Sequence, residues 1–370
     1  MKMAFQLNQD IHGVKVNTVK EDAYVTKAAL GSLRLALKAY FNTYYAAHRK
    51  QIIDDLSISP SHAFYETSIE NIDRFCENIE YQELYMQTIF HFHHFFELLL
   101  KDILKSVHSL LDLKLSLEGS DSLKILDIIQ NKKGVSISHE NTVEFSNALD
   151  RVCNLIDKED GVIPIVVKTI KENKSTLSDL NLLRNRVWHK GIFVLRLTEL
   201  DQFISQNILP LVLQVIQRTD YNNLEQYWKY ANADLDPIKE IIKAGRNPIN
   251  YKRIAFFKTY GIACYNNSKS KENLSLVLNE TLDKAKAIVK SLHDVELETC
   301  YVCKQKTLIV STISDHEVDT DGTYLGAWWT TTAAECLNCR LSVYPDVGEP
   351  GRYGASRSKL WKSGDYGGIE

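Results

Sequence analysis

Two cysteine pairs near the end of the chain, Cys300-x2-Cys303 and Cys336-x2-Cys339, constrain it more than any other feature. Each pair is short enough for one knuckle to present two thiolates, and two knuckles supply the four ligands of a tetrahedral site. Residues 304–335 lie between the pairs, longer than the commonest ribbon spacing but suited to an added hairpin. The surrounding composition agrees. From Thr299 onward β-branched and aromatic residues prevail, as in Thr307 to Ile313 and Ala327 to Thr332. A small β module resembling a zinc ribbon is therefore expected over 298–347, closed around one structural Zn2+ per chain. Four Cys ligands leave no open position for catalysis by that metal. A redox dithiol pair is the alternative. The other cysteines, Cys76, Cys153 and Cys264, lie in apolar helical sequence and read as buried, inert thiols. Beyond the module, the glycine-rich, basic segment 348–370 reads as a flexible tail.

Everything before Thr299 reads as helix. The 370 residues include only 16 Gly and 7 Pro, too few for an all-β or low-complexity chain. Apolar residues recur at helical spacing, as in Leu30, Leu33, Leu37, Tyr40, Phe41 and Tyr44, which predict one long helix over 22–56. Further helical stretches are expected over 69–113, within 118–134 and 140–157, from Gly161, over 180–189, 195–217, 223–265 and 272–294. Breaks fall at Ser57 to His62, at the polar run 172–178 and at Asn247-Pro248. The expected organisation is an N-terminal helical region (1–60), a helical domain (61–222), a helical linker or subdomain (223–297), the β module and the tail. A formal net charge of -3 excludes a strongly basic nucleic-acid coat protein, though not a local basic cleft. The start of the chain lacks a secretory pattern. The most apolar run, Ile89 to Leu100, is too short for a bilayer and carries three His and a Glu. A cytoplasmic protein with no membrane partner is the expectation.

One string carries candidate chemistry: Arg184-Asn185-Arg186-Val187-Trp188-His189, followed by Lys190-Gly191. Asn185 and His189 are four apart and share a helical face, and Arg184 is long enough to reach the same spot. Histidine titrates near neutrality, and arginine offers a permanent charge in a fork matched to phosphate oxygens. Together they can handle an RNA phosphate without a metal. A solvated polar helix end fits the same string. Upstream, His94, Glu97 and Lys101 form a polar stripe opposite Phe92, Phe96, Leu99 and Ile103. That stripe also suits a solvated face with a Glu97–Lys101 pair. His91 and His93 beside His94 form a weaker metal candidate, because His93 points off the face of the other two.

With these two segments in hand, the chain resembles the HEPN superfamily (higher eukaryotes and prokaryotes nucleotide-binding). The resemblance rests on the Glu97-Leu-Leu-Leu-Lys101 helix and the later Arg184-Asn185-x3-His189-x-Gly191 string, and covers roughly residues 65 to 220. It implies a helical bundle that dimerises so that two Arg/His motifs meet in one cleft, here with flanking helices and the β module added. It also implies a metal-independent endoribonuclease of the toxin or antiphage-defence kind, acting on RNA with or without an antitoxin or trigger partner. Arg184, Asn185 and His189 carry over to the catalytic motif, and Glu97 to the polar position on the facing helix. Arg186, Lys190 and Lys101 would bind RNA nearby. Some superfamily members are inactive binding modules, so a dimerising, RNA- or nucleotide-binding scaffold with a partner-docking ribbon is the second expectation.

Overall fold

In the computed structural model, residues 27–54, 76–108, 110–114, 126, 142–157, 165–190, 193–230, 233–267, 274–292, 294–318, 324–356 and 358–366 are described. The helices, in chain order, are α1 (Lys27–Asp54), α2 (Ile79–Val107), α3 (Phe145–Asn154), α4 (Ile165–Glu172), α5 (Lys174–Lys190), α6 (Leu197–Phe203), α7 (Leu209–Gln217), α8 (Glu225–Trp228), α9 (Pro237–Ala244), α10 (Tyr251–Asn267) and α11 (Leu274–Ser291). A π turn over Ile204–Ile208 runs α6 into α7 without a break. The polar run at 172–178 interrupts the helices only at Asn173, between α4 and α5. Of the piece expected within 118–134, only Leu126 falls among the described residues.

Helix α1 organises the body. Leu30, Leu33, Ala36, Leu37, Tyr40, Phe41 and Tyr44 are all buried, so the helix is apolar on more than one side and must be enclosed. It lies along α2, which buries Tyr85, Ile89, Phe92, Phe96, Leu99 and Ile103. Asn78 fixes their relative start: its side chain accepts from the Glu80 N–H at 3.0 Å and donates to the Ala46 carbonyl at 2.9 Å. On another side α10 crosses closely at Gly261, where a Cβ would come within 2.4 Å of the Phe41 ring. Below that crossing Lys258 of α10 pairs with Asp201 of α6, both wholly buried. The Lys258 ammonium also donates to Thr43 Oγ1 at 2.9 Å and lies 4.5 Å from the Tyr40 ring centroid. The segments expected as an N-terminal region, a central domain and a linker thus share one core, because α1 cannot bury its surface against any one of them alone.

The C-terminal sheet is antiparallel in the order β1 (Val295–Glu298), β2 (Leu308–Val318), β3 (Tyr324–Cys336), β4 (Ser342–Val343), with β5 (Ser363–Tyr366) also pairing β3. Leu308, Val310, Ala334 and Val343 bury one face at the cysteine end. The sheet reaches past the expected 298–347 on both sides. Its last strand comes from the segment read as a flexible tail, and Leu360 there is buried. Glycine explains the misreading: Gly364 lets the Trp329 indole lie across β5, where a Cβ would sit 2.8 Å from its Nε1. Arg352, Lys359 and Lys362 therefore decorate ordered structure, and Lys362 pairs with Glu298 at 3.4 Å. Among the described residues no helix is long and apolar enough to cross a membrane.

Candidate functional site

The four paired cysteines converge. Their Sγ atoms lie within 4.8 Å of one another and all four residues are buried. Cys300–Cys339 and Cys303–Cys336 are each 3.6 Å apart, far beyond an S–S bond of about 2.05 Å. Four thiolates bonded tetrahedrally to one ion at about 2.3 Å would sit about 3.8 Å apart, so the set fits one metal. The two knuckles are built alike. In the first, the Lys304 N–H donates to the Cys300 carbonyl at 2.9 Å and the Cys300 N–H to the Gln305 carbonyl at 2.8 Å. In the second, Arg340 donates to Cys336 at 2.9 Å and Cys336 to Leu341 at 2.7 Å. Each turn closes on a residue of positive φ, Lys304 at 61° and Arg340 at 58°. Thr307 Oγ1 lies 3.2 Å from Cys336 Sγ, placed to donate to a thiolate. Among the described residues this is the one His/Cys/Asp/Glu group that could hold a metal, and the triple histidine of α2 is not such a group.

The cysteine cluster is fastened to the helical body. Tyr44 Oη of α1 donates to both carboxylate oxygens of Asp346 at 2.9 Å. Next to it, Tyr45 Oη donates to the Arg340 carbonyl at 3.2 Å and accepts from the Ser342 N–H at 3.1 Å. Asn266 of α10 donates to the Cys339 carbonyl at 3.2 Å, and Lys304 pairs with Asp234. Burial raises the Asp346 pKa to about 6, against the Tyr44 hydrogen bonds that lower it.

The second candidate lies where α2 faces α5. Leu177, Leu180, Leu183 and Val187 bury one side of α5. Asn181, Arg184 and Asn185 occupy the half-buried flank. From α2, His93 reaches them: its Nε2 lies 3.0 Å from Asn181 Oδ1, its ring stacks on Phe145 at 4.2 Å, and its Nδ1 stands 3.9 Å from Glu97 Oε2. Glu97 in turn accepts from Lys101 Nζ at 2.7 Å. A polar line thus runs Lys101–Glu97–His93–Asn181 across the helix pair. Burial pushes the His93 pKa down to about 4; Asn181 and Glu97 oppose this, while the nearby Arg184 and His94 charges add to it. The ring is neutral near pH 7.

The geometry revises the stripe expected from sequence. His94 is exposed and its Nδ1 lies 2.8 Å from Ser32 Oγ of α1, so it belongs to the α1 side. His93, one residue back and four before Glu97, is the member facing α5. Lys101 is largely buried with its charge committed to Glu97, which does not suit it to a phosphate contact. On α5, Arg184 donates to Asn185 Oδ1 at 2.9 Å, and its guanidinium lies 5.5 Å from the Trp188 centroid. Arg186 is exposed and stacks over Phe193 at 4.7 Å. His189 and Lys190 form the last turn of α5, and their side chains lie outside the described residues. Sequence reasoning had His93 only as a weak metal candidate and missed Asn181; the i,i+4 step back from Glu97 and the i−4 step back from Asn185 are the signals that place them here. No protein-family model, curated protein or solved structure matches the chain.

Proposed function

We infer that the α2–α5 face is the active site of a metal-independent endoribonuclease of HEPN type, working as a homodimer or higher homo-oligomer, and that the ribbon is its structural zinc module. The observation that carries the reading is the contact of His93, from a helix nearly ninety residues earlier in the chain and beside Glu97, with Asn181, one turn before Arg184. An arginine beside buried polar groups, in a stretch without a single acidic residue from Leu180 to Thr198, favours a phosphate ligand. On this reading His189 exchanges the proton of the ribose 2'-OH or of the leaving 5'-oxygen. Arg184 stabilises charge on the crowded phosphorus, and Asn185, held by Arg184, orients the phosphate or His189. Glu97 and His93 set the α2 side of the face. Cleavage would leave a 2',3'-cyclic phosphate and a 5'-OH. An effector of a toxin or antiphage-defence system is the matching cellular role, in the cytoplasm, with a trigger or antitoxin as partner.

The metal identity follows from donor chemistry. Four thiolates in a closed set suit Zn2+, whose contribution is to hold the two knuckles together. Glu97 and its Lys101 partner offer no carboxylate pair for two divalent ions. A specific observation favours the second reading, an RNA-binding scaffold: the Lys101–Glu97–His93–Asn181 line is internally satisfied and reads equally as a seam between helices. Purified protein separates the two. RNA, and not DNA of the same sequence, should be cut in the presence of a chelator too weak to strip a thiolate site, and His189→Ala should cost roughly two orders of magnitude or more in turnover. RNA bound but left intact by the wild type would select the scaffold.

A further inference from the structure

Trp188 is 64% exposed at the rim of the candidate site. Despite that exposure the ring is held on two sides. Its neighbour Phe90 of α2 meets it edge-on, with centroids 5.7 Å apart and planes at 75°. Arg184, one turn back on α5, sets its guanidinium 5.5 Å from the ring centroid. The indole is thus oriented by both helices while much of its surface stays wet. Arg184 and Arg186 precede it in a stretch of sequence, Leu180 to Thr198, free of Asp and Glu. An oriented aromatic face beside a planar cation matches an unpaired nucleotide, whose base stacks and whose phosphate takes the charge.

In a dimer whose two motifs share one cleft, Arg184 and Arg186 approach their own copies, and an RNA phosphate between them supplies the counter-charge. Duplex RNA fits poorly, because its bases are already stacked and present no free face.

Resting on the RNA reading of the site above, we propose that Trp188 is a base-stacking platform, with Arg184 on the adjacent phosphate, so that the site takes unpaired loops or ends of RNA and discriminates against duplex. The test is equilibrium binding of a short mixed-sequence RNA, alone and annealed to its complement, to His189→Ala protein with and without a Trp188 change. Trp188→Ala should weaken binding of the single strand roughly tenfold or more. Trp188→Phe should keep most of the affinity, because the aromatic face remains. The duplex should bind more weakly and respond little to either change. The Trp188 variants should keep the helical signal, since the ring is exposed. Equal single-strand affinity for Trp188→Ala would overturn the platform, as would a variant that dissociates a dimer but binds RNA unchanged per chain. Trp188-dependent binding of single strands by a wild type that cuts nothing would overturn the nuclease reading and leave the platform standing.

Discussion

The cysteine ribbon and the α2–α5 face are organised in opposite ways. In the ribbon every ligand comes from two short turns of one contiguous module, each turn closed by its own backbone hydrogen bonds and a positive-φ residue. Across the α2–α5 face the polar groups come from helices far apart in sequence, and each rests on packing that other elements supply. Phe145 of α3 holds His93, Phe90 of α2 braces Trp188, and α1 takes His94. The lesson concerns the source of order. A metal can fold a small module whose apolar area is slight, whereas a cross-helix face inherits its geometry from a large core.

The largest effect expected from this contrast is on metal removal. Stripping the ion with a strong thiol-competing chelator, or Cys303→Ser, should unfold residues 295–366 while α1, α2 and α5 keep their helical signal. Apparent Zn2+ binding in small thiolate sites amounts to roughly 10–16 kcal/mol, more than the sheet could replace. Circular dichroism with limited proteolysis reads both halves. Metal analysis should find one zinc per chain. Intact β signal in metal-free protein would break the comparison, and loss of the helices together with the ribbon would show that the core shared through α1 couples them fully.

Proton linkage should then separate the regions by the sign of their slopes. His93 has its pKa lowered to about 4 from 6.5, so the unfolded chain binds more protons between those values. Its share of stability is complete above about pH 6.5 and is lost as the pH falls toward 4. Asp346 is the reverse. Its carboxyl is raised from 3.8 to about 6, so its contribution is complete below about pH 4 and is lost as the pH rises through 6. Each contribution has a ceiling of about 3 kcal/mol. The two slopes oppose each other over pH 4–6, which flattens global stability there. Asp346→Asn should remove the opposing slope and steepen acid destabilisation; His93→Gln should remove the His93 contribution and make it shallower. Denaturant titrations at a series of pH values check both, and an unchanged profile in either variant would remove that group from the account.

Much of this contrast was legible in the sequence, and the illegible part has a physical cause. Cys300, Cys303, Cys336 and Cys339 announced themselves because all their geometry is local. The long α1 was readable from the apolar period of Leu30, Leu33, Leu37, Tyr40, Phe41 and Tyr44, which persists although further sides of the helix are also buried. Choosing between His93 and His94 was harder: adjacent residues on a helix differ by about 100° in direction, and either can be paired with Glu97 by a three- or four-residue step. Only the position of α5 decides. Strand β5 was hidden for another reason. Gly364 reads as flexibility until the cross-strand Trp329 that needs the space is known.

A smaller effect is expected at the dock between the regions. Tyr44→Phe removes the donor that serves both Asp346 oxygens and leaves a buried carboxylate short of partners. The cost should be about 2 kcal/mol above pH 6, the scale for hydrogen bonds to a charged group. It should shrink below pH 5, where Asp346 is protonated and burial costs less. Hydrogen exchange over 342–347 is the readout. Because the two cysteine knuckles are self-contained, metal content should stay at one ion per chain. Loss of zinc in Tyr44→Phe would mean that the body, and not the turns, sets the metal geometry.

The smallest effect tests whether the polar line on α2 is electrically continuous. Lys101 neutralises Glu97, and Glu97 is the nearest anion to His93 Nδ1 at 3.9 Å. Lys101→Met keeps the buried stem but frees the Glu97 charge to act on the imidazole. Stability should change by only a few tenths of a kcal/mol, the value of one i,i+4 pair. The His93 midpoint should nonetheless move up from about 4, since an unshared carboxylate favours the imidazolium. Glu97→Gln should move it down, because the carboxylate that now favours protonation is gone. Imidazole NMR shifts across pH 3–7 resolve the two directions without relying on activity. If neither variant moves the His93 midpoint, Glu97 and His93 are neighbours by helix spacing alone, and the α2 contribution to the face reduces to the His93–Asn181 contact.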